Sequence, residues 1–158
     1  MSTPEKPVEY ATPSLLRRLA AMVYDSLLLM AVTILYGFIA VGINLLIQGV
    51  PAEGTRMQWG YAAPLVFIGW IASMLGFFCY FWQRAGQTLG MKTWRMKIFS
   101  ANGDSPSVKQ CLVRCLCAPF SLLLLGFGYW WMYGDADRQT LHDRISGTRT
   151  YLMAKEKN

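Results

Sequence analysis

The sequence predicts an all-α polytopic membrane protein with two full transmembrane helices, a third bent or re-entrant apolar helical segment and a small cytoplasmic β-hairpin-like element. Hydrophobic residues make up 54% of the 158 residues, which argues against a soluble protein. Segments 23–47 and 61–83 are predominantly apolar. At about 1.5 Å per residue, each is long enough to cross a hydrocarbon core of roughly 30 Å. The third apolar segment covers residues 108–133.

The two ends of the chain are predicted to be tails around one membrane domain, residues 14–153. Residues 1–13 contain two glutamates and three prolines, without the basic start and short apolar core of a signal peptide. We therefore expect a flexible cytoplasmic tail there and a second tail at 154–158. Ser14 can cap the first helix, and the Arg17 and Arg18 pair that follows favours a cytoplasmic N-terminus.

A charged residue marks the beginning of the first span. No formal charge occurs from Ser26 to Ile47, so Asp25 should lie just inside the membrane. A carboxylate at the bilayer centre costs about 2.5–3.5 kcal/mol, and less near the interface. Arg18 precedes Asp25 by about two helical turns and Tyr36 follows on the same line, which predicts one inward-facing polar stripe. Arg18 is expected either to reach Asp25 or to snorkel to the headgroups.

The second span contains two pairs of small residues at helical spacing, Gly69 with Ser73 and Ala72 with Gly76. Such pairs let another helix approach closely. We favour packing against the first helix, with a dimerisation face and hence a homo-oligomer as the alternative. Aromatic residues followed by Arg84 end this span and indicate a cytoplasmic interface.

The basic residues between the second and third apolar segments predict a cytoplasmic loop that attracts anionic lipid headgroups. The net charge of +6 does not indicate a nucleic-acid partner, because the basic residues flank apolar segments instead of forming one soluble face. Within the loop, apolar and basic residues alternate over Trp94–Ser100, which predicts a short strand. Thr148–Met153 is β-prone and would pair with it if both lie on one side of the bilayer.

The third apolar segment contains Arg114 and Pro119. A complete crossing would place the basic C-terminal residues outside, against the positive-inside trend. We therefore predict that Pro119 breaks the helix, that the segment bends or re-enters, and that the C-terminus is cytoplasmic.

A short helix is predicted near the C-terminus. Asp135 and Asp137 favour its N-terminus, Asp143 lies within it and Gly147 ends it.

Metal, cofactor and enzyme chemistry are not predicted. Cys111 and Cys115 lie four residues apart, but no histidine or carboxylate joins them at ligand spacing. His142 adjoins Asp143 in sequence but should face another side of the helix, and no serine or cysteine is placed as its nucleophile. We expect His142 to be exposed.

Three motifs resemble the RDD family of small membrane proteins, which is named for one arginine and two aspartates. Together they extend over about Pro13 to Leu152, in family order. Met91 separates Gly90 from Lys92, where the family often has a basic residue directly after the glycine. The motifs are Arg18-x-x-Ala21-x-x-x-Asp25, Gly86-Gln87-Thr88-Leu89-Gly90-Met91-Lys92 and Arg138-Gln139-x-Leu141-x-Asp143-x-x-x-Gly147-Thr148.

The resemblance implies a compact multi-pass domain in a bacterial inner membrane, with the lipid bilayer as its surroundings and Arg18, Asp25 and Asp143 as its principal site. Most members of the family have no assigned function; transport has been suggested for the group, and cation/proton antiport is attributed to a few members. The supporting site residues are Tyr36, Gln87, Thr88, Gly90, Gln139, Gly147 and Thr148.

Two hypotheses follow for these residues. In the first, Asp25 and Asp143 exchange a proton for a monovalent cation, and the fixed charge of Arg18 biases their pKa values. In the second, the protein has a structural or accessory role, and the same three residues form a buried ion network that only fixes helix packing.

Overall fold

The computed structural model describes residues 11–124 and 126–154, without the side chain of Leu122. The predicted tails, 1–13 and 154–158, lie largely outside the described residues. The described part of the chain is mostly helical, with a small antiparallel sheet. Its elements in chain order are α1 (Leu15–Gln48), α2 (Ala63–Ala85), α3 (Leu89–Thr93), β1 (Met96–Ser100), α4 (Val108–Leu123), α5 (Phe127–Trp130), α6 (Leu141–Ser146) and β2 (Thr148–Leu152).

Two helical stretches are long and apolar enough to cross a membrane, Leu15–Gln48 and Gly60–Ala85, the second of which starts with a 3-10 turn before α2. Most of their large apolar side chains are exposed, as expected for helices that face lipid. The two predicted spans are thus confirmed as apolar helices, with longer bounds than 23–47 and 61–83. At 34 residues, α1 is roughly 50 Å long and extends beyond a hydrocarbon core of roughly 30 Å.

The two long helices pack against each other through polar groups. The Tyr36 hydroxyl of α1 donates to the Val66 carbonyl of α2 at 2.7 Å, and the Trp70 indole donates to Thr33 at 3.2 Å. Gly69 leaves the space that the Tyr36 hydroxyl occupies, because a β-carbon at this position would overlap it. Gly69 therefore serves packing within the chain, as expected from its spacing with Ser73.

The third apolar segment forms α4, α5 and a following 3-10 turn. The prediction of a break at Pro119 is wrong: Pro119 lies inside α4, which continues to Leu123. Gly126, the N-cap of α5, adopts a positive φ of 75°. Proline has no backbone N–H, so α4 lacks one hydrogen bond at Pro119. The helix nevertheless continues for four more residues. The path of this segment relative to the bilayer stays a prediction.

The predicted strand pair is confirmed. β1 and β2 are antiparallel, with Met96 opposite Leu152 and Ser100 opposite Thr148. β1 begins two residues later than the alternation indicated, because Trp94 ends α3 and Arg95 takes a positive φ of 56°. The sheet thus connects the loop after α2 to the C-terminal segment.

The C-terminal helix α6 is shorter than predicted at its start. Asp135 and Asp137 lie outside it; Thr140 is its N-cap, and the Thr140 and Asp143 side chains form a capping box. Gly147 ends the helix in the left-handed conformation at φ 63°, as predicted. Asp135 lies in the preceding loop, where it accepts hydrogen bonds from the Arg144 side chain of α6 and from the Gln139 backbone amide.

The small hydrophobic core lies at the N-terminal end of α1, where the short elements meet the two long helices. It brings α1, α2, α3, β1 and α4 together. This placement concentrates the buried charged residues of the chain at one end of the apolar helices. The buried apolar residues of this core are Ala21, Trp82, Met91, Met96, Ile98 and Cys111.

Candidate functional site

Asp143 is the centre of a buried ion network. It has no solvent-exposed surface, and α6 holds it between two guanidinium groups. Arg18 donates to one carboxylate oxygen at 2.7 Å and Arg114 donates to the other. The Thr150 hydroxyl at 3.1 Å and the Thr140 amide at 3.3 Å complete the donors. Four donors from four segments therefore converge on one carboxylate.

The pKa of Asp143 follows from this arrangement. Burial alone would raise it, but the guanidinium groups of Arg114 and Arg18 outweigh burial and hold the pKa well below its usual range. Asp143 is therefore ionised at neutral pH. A group held in one charge state by two fixed cations is poorly suited to exchange a proton.

Arg114 is a site residue that the sequence analysis did not assign. Besides Asp143 it donates to Thr148 at 2.7 Å and to Thr150 at 3.1 Å, and its guanidinium lies 5.5 Å from the ring centre of Trp82. The available signal was its position inside an apolar, cysteine-rich helix. A buried charge there requires a partner of opposite sign.

Asp25 occupies a second, separate polar site. Its carboxylate accepts a hydrogen bond from the Thr88 hydroxyl at 2.5 Å and from the Gly90 amide at 3.0 Å. Thr88 is the N-cap of α3 and accepts from the Met91 amide at 3.2 Å. Asp25, at 6% exposure, thus anchors the first turn of α3 to α1.

Both predictions for Arg18, contact with Asp25 and snorkelling to the headgroups, are wrong. Arg18 is 5% exposed, so it does not snorkel, and its hydrogen bond goes to Asp143 and not to Asp25. The reason is that α6 brings a fully buried carboxylate to the same face of α1. Tyr36, the third member of the predicted stripe, also faces inward but contacts α2, away from both aspartates.

The structure brings some of the predicted supporting residues to the two aspartates and not others. Thr88 and Gly90 bind Asp25, and Thr148 joins the Asp143 network through Arg114. Gly147 acts through the backbone by ending α6. In the described part of the chain, Tyr36, Gln87 and Gln139 are not hydrogen-bond partners of either aspartate.

His142 is buried, which contradicts the expectation that it is exposed. Its Nε2 lies 3.0 Å from the Thr140 hydroxyl, and its ring packs on Tyr129 with centres 4.8 Å apart. Burial first, and then the charge of Arg114, lower the pKa of His142 to about 3. The imidazole is therefore neutral in the folded protein at physiological pH.

A cavity of about 530 Å³ joins the two polar sites. Its walls come mainly from α1, α2 and α4 and are predominantly apolar. At one end it reaches both buried networks. The ionisable residues among its lining are Arg18, Asp25, Arg114, Cys115, Tyr129 and His142.

Comparison with known proteins matches the chain to one family model, described as the RDD family, over residues 12–147. An uncharacterized protein of Rickettsia prowazekii (strain Madrid E) is 33% identical over 85 residues, which are 53% of this chain and 47% of that protein. The chain thus spans about half the length of the curated relative that it matches. No solved structure matches the chain.

Proposed function

The chain belongs to the RDD family, and we propose on that premise that it is a transport-related membrane protein in which Asp25 exchanges a proton for a monovalent cation. One observation carries this proposal. Asp25 lines the cavity between the apolar helices, and its described hydrogen-bond partners are a hydroxyl and a backbone amide, not a guanidinium.

The number of acceptor sites supports Asp25 in this role. An ionised carboxylate has about four lone-pair positions, and Thr88 and Gly90 occupy two of them. The remaining positions can take a proton or contribute to a cation site. Carboxylates within membrane segments commonly mark such ion pathways.

Asp143 has a different role in this proposal. Its two guanidinium partners keep it ionised, so we assign it to the frame that fixes α1, α4 and α6 around the cavity. This assignment replaces the symmetrical use of both aspartates expected from the sequence.

The alternative, a structural or accessory role, is favoured by a specific observation. Arg18 and Arg114 with Asp143 leave one net positive charge beside the cavity, which opposes the approach of a cation. In the alternative, both aspartates serve helix packing only. Transport assays separate the two functions because packing alone moves no ion.

The setting of the protein is part of the same proposal. We place it in a bacterial inner membrane with both termini in the cytoplasm, where the basic loop after α2 contacts anionic lipid headgroups. Homo-oligomerisation through α2 also remains a prediction; Ala72 and Gly76 lie on an exposed part of that helix.

Inverted membrane vesicles with an imposed pH gradient test the proposed exchange. A pH-sensitive dye records the gradient while Na⁺, Li⁺ or K⁺ is added to vesicles with the wild type, Asp25→Asn or Asp104→Asn. Asp104 is an exposed loop carboxylate and provides the matched control. The proposal expects cation-dependent dequenching in the wild type and in Asp104→Asn, and none in Asp25→Asn at equal abundance. Absence of a response in the wild type would refute the exchange and favour the structural role.

A further inference from the structure

We infer that the cavity between α1, α2 and α4 binds an amphiphile with one apolar chain and an acidic headgroup. The inference goes beyond the proposed exchange and does not require it, because binding is defined without an ion gradient. It rests on the composition of the two ends of the cavity.

The apolar end is suited to a hydrocarbon chain. Side chains from both long helices and from α4 form its walls, and the volume of about 530 Å³ lies within the roughly 300–1,000 Å³ typical of small-molecule sites. Cavity-lining residues of α1 and α2 belong to the apolar helices, so a chain can enter from lipid. The apolar lining includes Leu29, Ile71, Met74, Leu75, Leu116 and Phe120.

The polar end contains hydrogen-bond donors that lack acceptors. Arg18, Trp82 and His142 all line the cavity and are more than nine-tenths buried. In the described part of the chain, Arg18 Nε, Trp82 Nε1 and His142 Nδ1 have no hydrogen-bond partner. Arginine and indole nitrogens only donate. His142 Nδ1 also donates in the tautomer whose Nε2 accepts from the Thr140 hydroxyl.

The donors at this end select the kind of headgroup. Arg18 and Arg114 each carry a positive charge; Asp143 balances one of them, and Asp25, which binds the neutral donors Thr88 and Gly90, balances the other when it is ionised. Selectivity therefore comes from the three donors named above: Arg18 Nε belongs to a charged guanidinium, so a negatively charged group that only accepts hydrogen bonds forms a charge-assisted bond there. Free carboxylates and phosphate monoesters share this chemistry, whereas an alcohol supplies no charge.

Photolabelling tests the inference on the 158-residue chain in phosphatidylcholine nanodiscs. The probe is a long-chain fatty acid with a diazirine in its chain, and mass spectrometry maps the labelled peptides. Dodecanoate and dodecyl phosphate compete as the two acidic headgroups, and dodecanol competes as the uncharged control. We expect labelling of cavity-lining peptides that at least one acid suppresses about tenfold more effectively than dodecanol, as a charge-assisted contact predicts.

A pair of variants on one helix localises the site. Ile71→Trp fills the cavity from α2, whereas Ile68→Trp places the same side chain on an exposed position outside the cavity. Labelling should fall about tenfold in Ile71→Trp, the change expected when about two methylene groups lose their burial, and remain in Ile68→Trp. Ala118→Trp enters from α4 at a half-buried lining position and provides a second cavity-filling variant if Ile71→Trp does not fold.

The outcomes are distinct from those of the transport assay. Labelling that dodecanol suppresses as well as the acids do, or that both cavity-filling variants leave unchanged, would overturn the inference. Neither result would bear on cation exchange, which is measured separately in vesicles.

Discussion

Replacement of Asp143 by asparagine should strongly destabilise the fold. The substitution keeps the size of the side chain but removes the charge between Arg18 and Arg114. One acceptor oxygen remains, and the new amide group presents donors to groups that are themselves donors. The two guanidinium groups then remain buried without their common counter-charge.

The magnitude follows from burial and geometry. Asp143 has no exposed surface, Arg18 donates to it at 2.7 Å, and Arg114 donates to its other oxygen. Removal of one partner from such a buried ion pair costs about 3–5 kcal/mol. This is a change of about a hundredfold to several thousandfold in the unfolding equilibrium constant, since about 1.4 kcal/mol corresponds to tenfold.

Reaction of Cys111 with a thiol reagent, followed by mass spectrometry of the labelled peptides, provides the assay; the mapping is needed because the half-buried Cys79, Cys115 and Cys117 also react. Cys111 is fully buried in α4 beside Arg114, so it reacts only when the packing around α4 opens. Unfolding curves in denaturing detergent would compare the wild type, Asp143→Asn and the exposed control Asp104→Asn. The double variant Arg114→Gln with Asp143→Asn should lose less than the sum of its single variants, because it removes one of the uncompensated charges. A cost for Asp143→Asn within about 0.5 kcal/mol of the control would refute the reasoning.

Two further predictions concern the surroundings of the aspartates. The pKa of His142, the only histidine, is lowered to about 3 in the folded protein. Below about pH 6.5 the unfolded chain therefore binds a proton that the folded protein does not bind. The free energy of unfolding should consequently fall as the pH decreases through about 6.5. The free energy of unfolding should change by up to about 1.4 kcal/mol per pH unit. His142→Phe, which keeps a ring against Tyr129, should remove this pH dependence. Equal slopes in the wild type and in His142→Phe would contradict the prediction. Gly90→Ala should cost about 1–3 kcal/mol, because its β-carbon would overlap the Ala21 carbonyl. Gly76→Ala, where a β-carbon meets open space, should not lower the thermal midpoint; equal midpoints in both alanine variants would disprove the steric argument.

The parts of the fold that could be predicted from the sequence depend on local patterns. Apolar length identified α1 and α2, alternation identified the strand at 96–100, and the left-handed preference of glycine placed the end of α6 at Gly147. The start of α6 was misplaced for a related reason. The acidic residues at 135 and 137 satisfy the general preference for negative charge near a helix N-terminus. The observed N-terminus depends instead on the capping box formed by Thr140 and Asp143.

The site was only partly predictable because its partners are distant in sequence. Arg18 and Asp143 are 125 positions apart, and the spacing of Arg18 with Asp25 along one helix indicated a shorter connection that does not form. Arg114 was noted as a charge in an apolar segment, but no local pattern showed that α4 packs on α6. His142 is buried for the same reason: its environment is created by Tyr129 and Arg114, which only tertiary packing brings near.

The division of roles between the two aspartates is the central claim, and the exchange rate per folded molecule tests it most directly. Asp25→Asn can keep both hydrogen bonds, because an amide oxygen accepts from Gly90 and the Thr88 hydroxyl can also accept. We predict that Asp25→Asn reaches wild-type abundance in vesicles but loses cation-dependent proton movement. Asp143→Asn should be depleted, while its remaining folded fraction keeps cation-dependent exchange, slowed by the extra positive charge beside the cavity. Exchange that persists in Asp25→Asn and disappears from folded Asp143→Asn would contradict the account.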